Sequence, residues 1–429
     1  MRKIVFFALW ALLSTTLSAQ NVREQLKNDL FKAGSNYYAY KTPVKPLTPA
    51  PGGKKPFYFS HYARHGSRYL VKAKDYDYPY GILLKAQQQG KLSAEGLRAI
   101  KMVETLRKEA EGRYGELTEL GAAQHRQIAQ RMYDRFPEVF QKHATIDAKS
   151  TVVIRCILSM ENELLQLVKN NPKLRIKSDA SQYDMYYMNL QDSALYKKRY
   201  PKKSMDNYKA FCVPHTIDRQ AMGRLFNDSV YVRDSVDTYN LNLALFKMAS
   251  SVQGTEMRHH FNLFDIYTID ELFNNWLQAN AYWYISFGNN PLNGGQQPFT
   301  QRNLLRKIIE EADSCMALPT PGATLRFGHE TIVLPLTCLL GINGFDHQFT
   351  NLEELDANGW INFEVFPMAA NIQFVFYRKN KKDKDVLVKV LLNEEEATLP
   401  LASDCAPYYH WSDFRDYYLK KLDTFQEPF

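Results

Sequence analysis

The chain has 429 residues, with 54 Lys and Arg against 46 Asp and Glu. That mild positive surplus suits a small polyanionic ligand and lacks the clustered stripe that nucleic-acid binding requires. The length is too great for one compact core, so two domains, or one domain with a large insertion, are expected.

Arg2 and Lys3 precede an apolar run over 4–13, and Leu17-Ser18-Ala19 offers small residues where a signal peptidase cleaves. This predicts a signal peptide over 1–19, too short and wrongly flanked to be a membrane span. No cysteine follows the run to take a lipid anchor, and no later run is long enough to cross a bilayer. The mature chain, with a net charge of +6 once Arg2 and Lys3 are gone, is expected to be exported, periplasmic or secreted. The five cysteines, Cys156, Cys212, Cys315, Cys338 and Cys405, have no metal-ligand spacing. In an oxidising compartment their odd number leaves at least one unpaired.

Residues 21–56 are polar, then rich in Pro, Lys and Gly, and read as an arm on the surface. Next comes Phe57-Tyr58-Phe59-Ser60-His61-Tyr62-Ala63, an apolar strand, ending in Arg64-His65-Gly66-Ser67-Arg68. Strand ends that run into charged loops are where α/β proteins place their chemistry. Arg64 and Arg68 supply forked N–H donors suited to phosphate oxygens, and His65 between them is a nitrogen nucleophile or acid/base inside a positive field. Gly66 is expected to let the backbone turn and an anion come close. The plainer alternative is a basic surface loop after an edge strand.

Residues 72–80 read as a polar aromatic loop carrying Lys72 and Lys74 over that site. Ser93 caps a helix with Leu97, Ile100, Val103 and Leu106 inward, ended by Gly112, and a second helix succeeds Thr118 until Pro137. Residues 151–154 predict a buried strand that ends at Arg155, with Ser159 capping the next helix. From about 170 to 310 the composition shifts to Tyr, Asn and Lys with helical periodicity, around the basic run Lys197-Lys198-Arg199-Tyr200-Pro201-Lys202-Lys203, a solvated charge run or a contact for an anionic substrate. His259 and His260 are adjacent, a poor arrangement for a metal pair. The sheet resumes at 324–328, passes His329 and Glu330 as a helix begins, and closes with an antiparallel hairpin over 372–377 and 386–390. There is no nucleotide-type phosphate loop and no Gly-x-Ser-x-Gly elbow.

Arg64-His65-Gly66-Ser67-Arg68 resembles the RHGxR signature of the histidine acid phosphatases, the branch of the histidine phosphatases that includes phytases. Leu117, Thr118 and Gly121 resemble that family's Leu-Thr-x-x-Gly segment, and Arg155 with Ser159 its next arginine. Residues 327–331 with Pro335-Leu336 fall where the family has its second histidine and proton donor. Residues 367–374 and 391–394 are similar to the multiple inositol polyphosphate phosphatase group in particular. Two features depart from the pattern. Tyr69-Leu70 stands where x-Pro is usual, and Glu330 comes directly after His329 where the family has His-Asp or His-Ala-Glu.

The resemblance implies an α/β fold: a mixed central sheet flanked by helices, with a large mainly helical insertion domain. The division expected is 20–165 with 315–429 for the phosphatase domain and 166–314 for the insertion. It also implies a phosphomonoesterase without cofactor or metal, in which His65 attacks phosphorus and Glu330 protonates the leaving group. Arg64, Arg68, Arg155 and His329 would neutralise the phosphate, a role their charge suits. Lys72, Lys74, Lys202 and Lys203 are candidates to hold further phosphates of the substrate. The expected partner is a small phosphomonoester, inositol polyphosphates first, with sugar phosphates or nucleotides as the alternative; nucleic acid and membrane are not expected. A polyphosphate-binding protein without turnover would keep the arginines but has no use for His65 or Glu330.

Overall fold

The computed structural model describes residues 22–189 and 192–426, so the expected signal peptide lies outside the described residues. Its centre is a mixed sheet in the order β3-β2-β4-β1-β5-β6-β7, with β8 paired to β6. Strand β1 (Lys55–Arg64) lies between β4 (Gly322–Gly328), which runs parallel to it, and β5 (Asn371–Arg378), which runs antiparallel. Beyond β4 come β2 (Thr145–Ser150) and β3 (Arg175–Asp179), both parallel. On the other side β6 (Leu387–Leu392) forms the expected hairpin with β5, and β7 (Glu395–Glu396) and β8 (Tyr408–His410) come after it.

Period-two alternation along β1 sends its side chains into two cores. Phe59 and Ala63 pack with Ile128, Ala129 and Met132 of helix α3 (Glu119–Arg135) and with Met160, Leu164 and Leu167 of helix α4 (Ile154–Asn170). Tyr58 and Tyr62 face the larger core. That core is shared by helices α1 (Lys74–Gln88) and α2 (Ala94–Glu109) with the long helices of the central stretch, α5 (Thr238–Val252), α6 (Ile269–Phe287) and α7 (Arg302–Met316). Helix α8 (Glu330–Leu340) runs from β4 into the same core, and α9 (Trp411–Asp423) closes the chain. No described helix is long and apolar enough to cross a membrane.

Several elements differ from expectation. The strand read at 151–154 is instead β2, six residues earlier; Val152 and Ile154 are 40% and 72% exposed. Arg155 thus sits in the first turn of α4, and Ser159 is one turn further in and is no cap. Strand β3 lies inside the range given to the insertion, so the sheet extends past the boundary at 166; its polar sequence reflects an exposed edge. The loop read at 72–80 is mostly the start of α1, whose buried Tyr76, Pro79, Leu83 and Ala86 have helical spacing behind an Asp-Tyr alternation. Leu97 points outward, 42% exposed, while Gly96, Ala99, Ile100, Val103 and Leu106 face in. All five cysteines are free.

Candidate active site

The register aligns the carboxyl ends of three parallel strands, pairing Arg64 with Gly328 and Ser150 with Phe327. The segments that leave these strands therefore meet at one edge of the sheet, where α/β folds bind ligands. Arg64 closes β1, His65 to Arg68 form the loop beyond it, Thr151 and Arg155 come after β2, and His329 and Glu330 after β4. The six expected catalytic residues come together.

Arg64 is fully buried. Its Nη1 donates to the carbonyls of Phe366 (2.8 Å) and Asn36, and its Nε lies 3.1 Å from Glu330 Oε2. His65 places Nδ1 2.9 Å from the Gly66 carbonyl. A carbonyl only accepts, so the proton is on Nδ1 and the Nε2 lone pair is free. That Nε2 is 3.8 Å from Glu330 Oε2, and the His65 and His329 rings lie 5.8 Å apart. Thr151 Oγ1 is 3.3 Å from His329 Nε2, and the buried thiol of Cys156 is 3.9 Å from both His329 ring nitrogens. Arg68 donates from Nη1 to the Tyr69 carbonyl (3.0 Å) and stacks 5.3 Å from the Tyr37 ring. Buried nitrogens of all three arginines have no hydrogen-bond acceptor in the chain: Nη2 of Arg64, Nε of Arg68 and Nε of Arg155, while Nε of Arg64 meets only the Glu330 carboxylate. Unmatched buried donors are costly unless an anion takes them up.

The loop is held by backbone contacts that the sequence pattern does not reveal. Gly66 N–H donates to Ser159 Oγ (3.1 Å), which donates in turn to the Arg155 carbonyl (2.7 Å). Ser67 N–H donates to Gln124 Oε1 (2.9 Å), and Thr118 caps α3 while its N–H meets the Ser67 carbonyl (2.9 Å). Gly66 does not take a positive φ; its value is closeness. A Cβ there would stand 2.3 Å from the Gly121 carbonyl oxygen, and one on Gly121 would stand 2.2 Å from the Ser67 carbonyl oxygen. The expected turning role of Gly66 is therefore corrected to one of packing.

Charge fixes the protonation states. Burial, with Arg64, Arg155, Arg68 and His329 around it, holds the His65 imidazole well below its ordinary range, so it is neutral. Burial also lowers His329, to about 4; Glu330 opposes the shift and the three arginines add to it. His329 is thus a neutral donor at neutral pH in the free site, where a cation was expected. For Glu330 burial acts upward, but Arg64, Arg68 and His329 outweigh it and leave the carboxyl at about 2. Arg64 itself is lowered to about 10, by burial first.

Lys72 precedes α1 and Lys74 begins it, while Lys202 and Lys203 begin the helix Lys202–Cys212; all four are exposed, and Lys202 pairs with Asp206. Arg199 of the same basic run behaves differently. Its guanidinium lies 4.4 Å from the Phe287 ring, in a cavity also lined by Tyr196, Thr300, Thr331 and Ile332, the last two directly after Glu330 in the chain, and by Asp192, whose carboxylate is paired with Arg302. Asn36, Tyr37, Gln124, Thr151 and Cys156 are supporting residues that the sequence alone does not single out, whereas Arg199 belongs to the basic run expected to meet further phosphates. Gln124, Thr151 and Cys156 lie near a motif; Asn36 and Tyr37 arrive through tertiary structure.

Among the described residues, two groups of three His, Cys, Asp or Glu could hold a metal: His65, His329 and Glu330, and Asp404, Cys405 and His410. The second group corrects the expectation that no cysteine stands at ligand spacing. In the first, three guanidiniums surround the ligand atoms and oppose a cation, so the donor set fits an anion and does not fit a metal.

Residues 62–393 match the family model of the histidine phosphatase superfamily, branch 2. No curated protein sequence matches. Among solved structures, the multiple inositol polyphosphate phosphatase of Bifidobacterium longum, in complex with inositol hexasulfate, superposes with a TM-score of 0.76 at 18% identity, over 89% of this chain and 96% of that one. The phytase from D. castellii gives 0.67 at 14% identity, over 92% and 86%. The apo phytase of Hafnia alvei gives 0.52 at 14% identity, over 87% and 98%.

Proposed function

Because the chain belongs to branch 2 of the histidine phosphatase superfamily, we propose that it is an exported, metal-independent phosphomonoesterase that works through a phosphohistidine on His65 and acts on inositol polyphosphates. The observation that carries this reading is the set of buried, unmatched arginine donors around a neutral His65 whose Nε2 is free.

A phosphomonoester dianion repels nucleophiles until its charge is balanced, and Arg64, Arg68 and Arg155 supply that balance without reorganisation. His65 Nε2 then attacks phosphorus in line. As the N–P bond forms, the ester P–O bond breaks and the departing alkoxide takes a proton from Glu330. In the second half Glu330 accepts a proton from water, the oxygen attacks phosphorus, the N–P bond breaks and phosphate leaves. Glu330 is ionised in the free site, so the first step needs it reprotonated. A dianion seated among the arginines cancels the field that holds its carboxyl at about 2. Substrate binding therefore creates the acid that the chemistry needs.

Inositol polyphosphates are favoured because Arg199 stands in a cavity beside the residues after Glu330, offering charge to a phosphate that is not being cleaved. The inositol hexasulfate bound by the B. longum relative agrees with this. The direct His329-Glu330 succession, closer to the His-Asp pattern, keeps sugar phosphates and nucleotides as the second reading. The test is phosphate release from a panel of phosphomonoesters with chelator present. Turnover of inositol hexakisphosphate above that of the others supports the proposal; turnover of sugar phosphates alone supports the second reading; none at all, or loss on chelation, overturns both.

A further inference from the structure

We propose that Asp404, Cys405 and His410 form a surface site for one zinc-type divalent cation, remote in sequence from the phosphate-binding residues, that ties the loop before β8 to the start of α9. His410 ends β8, pairs with Leu387 of β6 and stands at the N-terminus of α9, which fixes its backbone, while its ring lies between Asp385 and Asp404. Its Nε2 lies 3.2 Å from Asp404 Oδ1, and the ligand atoms of Asp404, Cys405 and His410 all fall within 4.8 Å of one another. Two ligands bound tetrahedrally at ~2.0 Å lie about 3.3 Å apart, so the nitrogen and oxygen already have a metal-ready separation.

The other ring nitrogen supplies an independent sign. His410 Nδ1 is 2.6 Å from Asp385 Oδ1, and Asp385 is itself held by Lys54, whose Nζ is 3.0 Å from Asp385 Oδ2. A carboxylate on the far nitrogen is the support that metal-bound imidazoles have, since it fixes the tautomer and aims the free nitrogen at the ion. Sulfur, nitrogen and one carboxylate together suit zinc and not calcium or magnesium, which take oxygen ligands. Asp404 is 79% exposed, so water can complete the coordination. Binding displaces the Cys405 thiol proton, and any proton on His410 Nε2, to solvent, with no change of oxidation state.

The competing account is an imidazolium bridging two carboxylates, with Cys405 a bystander whose Sγ is 3.6 Å from the Tyr408 carbonyl. The two accounts differ in whether the sulfur is used. Titration of the reduced, metal-free chain with Co²⁺ should give one equivalent with a thiolate-to-metal charge-transfer band. The band should vanish in Cys405→Ser and persist in Cys156→Ser, whose thiol lies by the other candidate group. Zn²⁺ affinity should fall at least tenfold in Cys405→Ser and in Asp404→Asn, the latter an exposed change that spares folding. Aryl phosphate hydrolysis should be the same in both variants as in the native chain. Absence of the band, its survival in Cys405→Ser, or its loss in Cys156→Ser alone overturns the proposal.

Discussion

Glu330 and His65 face each other across the arginine pocket, with Oε2 3.8 Å from Nε2. That separation is too short for a phosphoryl group to lie between them, so a phosphate attacked by Nε2 must push the Glu330 carboxyl aside, toward the leaving oxygen. In His65→Ala the pocket keeps its arginines, so phosphate or vanadate should still bind while turnover drops by several orders of magnitude. Acid-labile, base-stable phosphate should be trapped on the native chain and absent from the variant. Normal turnover in His65→Ala would remove the phosphohistidine from the mechanism.

Glu330→Gln separates acid catalysis from positioning. Substrates with poor leaving groups should slow by roughly 10² to 10⁴, the usual range for a lost general acid. An activated aryl ester needs no such proton, so its phosphorylation step should be spared and the phosphoenzyme should accumulate. Equal slowing for good and poor leaving groups, with nothing trapped, would make Glu330 a positioning residue.

Stability should fall with pH first through the imidazoles His329, His65 and His61, all held below the ordinary range, and then through Glu330. The folded value for His329 is about 4, below the ordinary imidazole value, so its contribution is complete above about pH 6.5 and is lost as pH falls toward 4. The loss should be about 3 kcal/mol, since a pKa difference of one is worth about 1.4 kcal/mol. Glu330 responds next, between about pH 4.3 and 2, losing the stabilisation the arginines give its ionised form. Denaturant melts from pH 7 to 4 should show the first decline in the native chain and a flatter profile in His329→Asn. Identical slopes would contradict the assigned protonation state.

The loop's close packing predicts that Gly121→Ala damages the site from outside it. The new Cβ would press on the Ser67 backbone at 2.2 Å, a contact that only a shift of the loop can relieve. Such overpacking costs about 1–3 kcal/mol, and turnover should fall because His65 and Arg68 move with the loop. An enzyme of native stability and rate would show that the loop yields freely.

The sheet edge was legible because strand ends carry their chemistry in contiguous letters: Arg64 to Arg68 after β1, and His329-Glu330 after β4. Arg155 lies where the sequence points for a partly wrong reason: β-branched Val152, Val153 and Ile154 imitate a strand, although Val152 and Val153 connect β2 to α4 and exposed Ile154 begins the helix. Edge strand β3 has no apolar face to betray it. Asn36 and Tyr37 come from an arm that reads as featureless, because a carbonyl that holds Arg64 leaves no side-chain signature. The Asp404, Cys405 and His410 cluster was hidden in the same way, as the pairing of β8 with β6 is what brings Asp385 to His410.

The substrate reading turns on which cations meet the phosphates that are not cleaved. The sequence candidates are Lys72, Lys74 and the basic run over 197–203, but the exposed lysines Lys72, Lys74, Lys202 and Lys203, on flexible stems, contribute little against solvent and salt. Arg199 is positioned by Phe287, Tyr196 and a weak bond from its Nε to Gln297 Oε1 at 3.4 Å, and it shares a cavity with Thr331 and Ile332 beside the acid. Arg199→Ala should therefore raise KM for inositol hexakisphosphate by about tenfold, the scale of one charged hydrogen bond, and leave KM for a simple aryl phosphate nearly unchanged. Removing the four lysines together should produce a smaller rise that disappears at high salt. If Arg199→Ala weakens both substrates alike, the residue supports the fold of the pocket; if it weakens neither, the remaining phosphates of the substrate are held elsewhere.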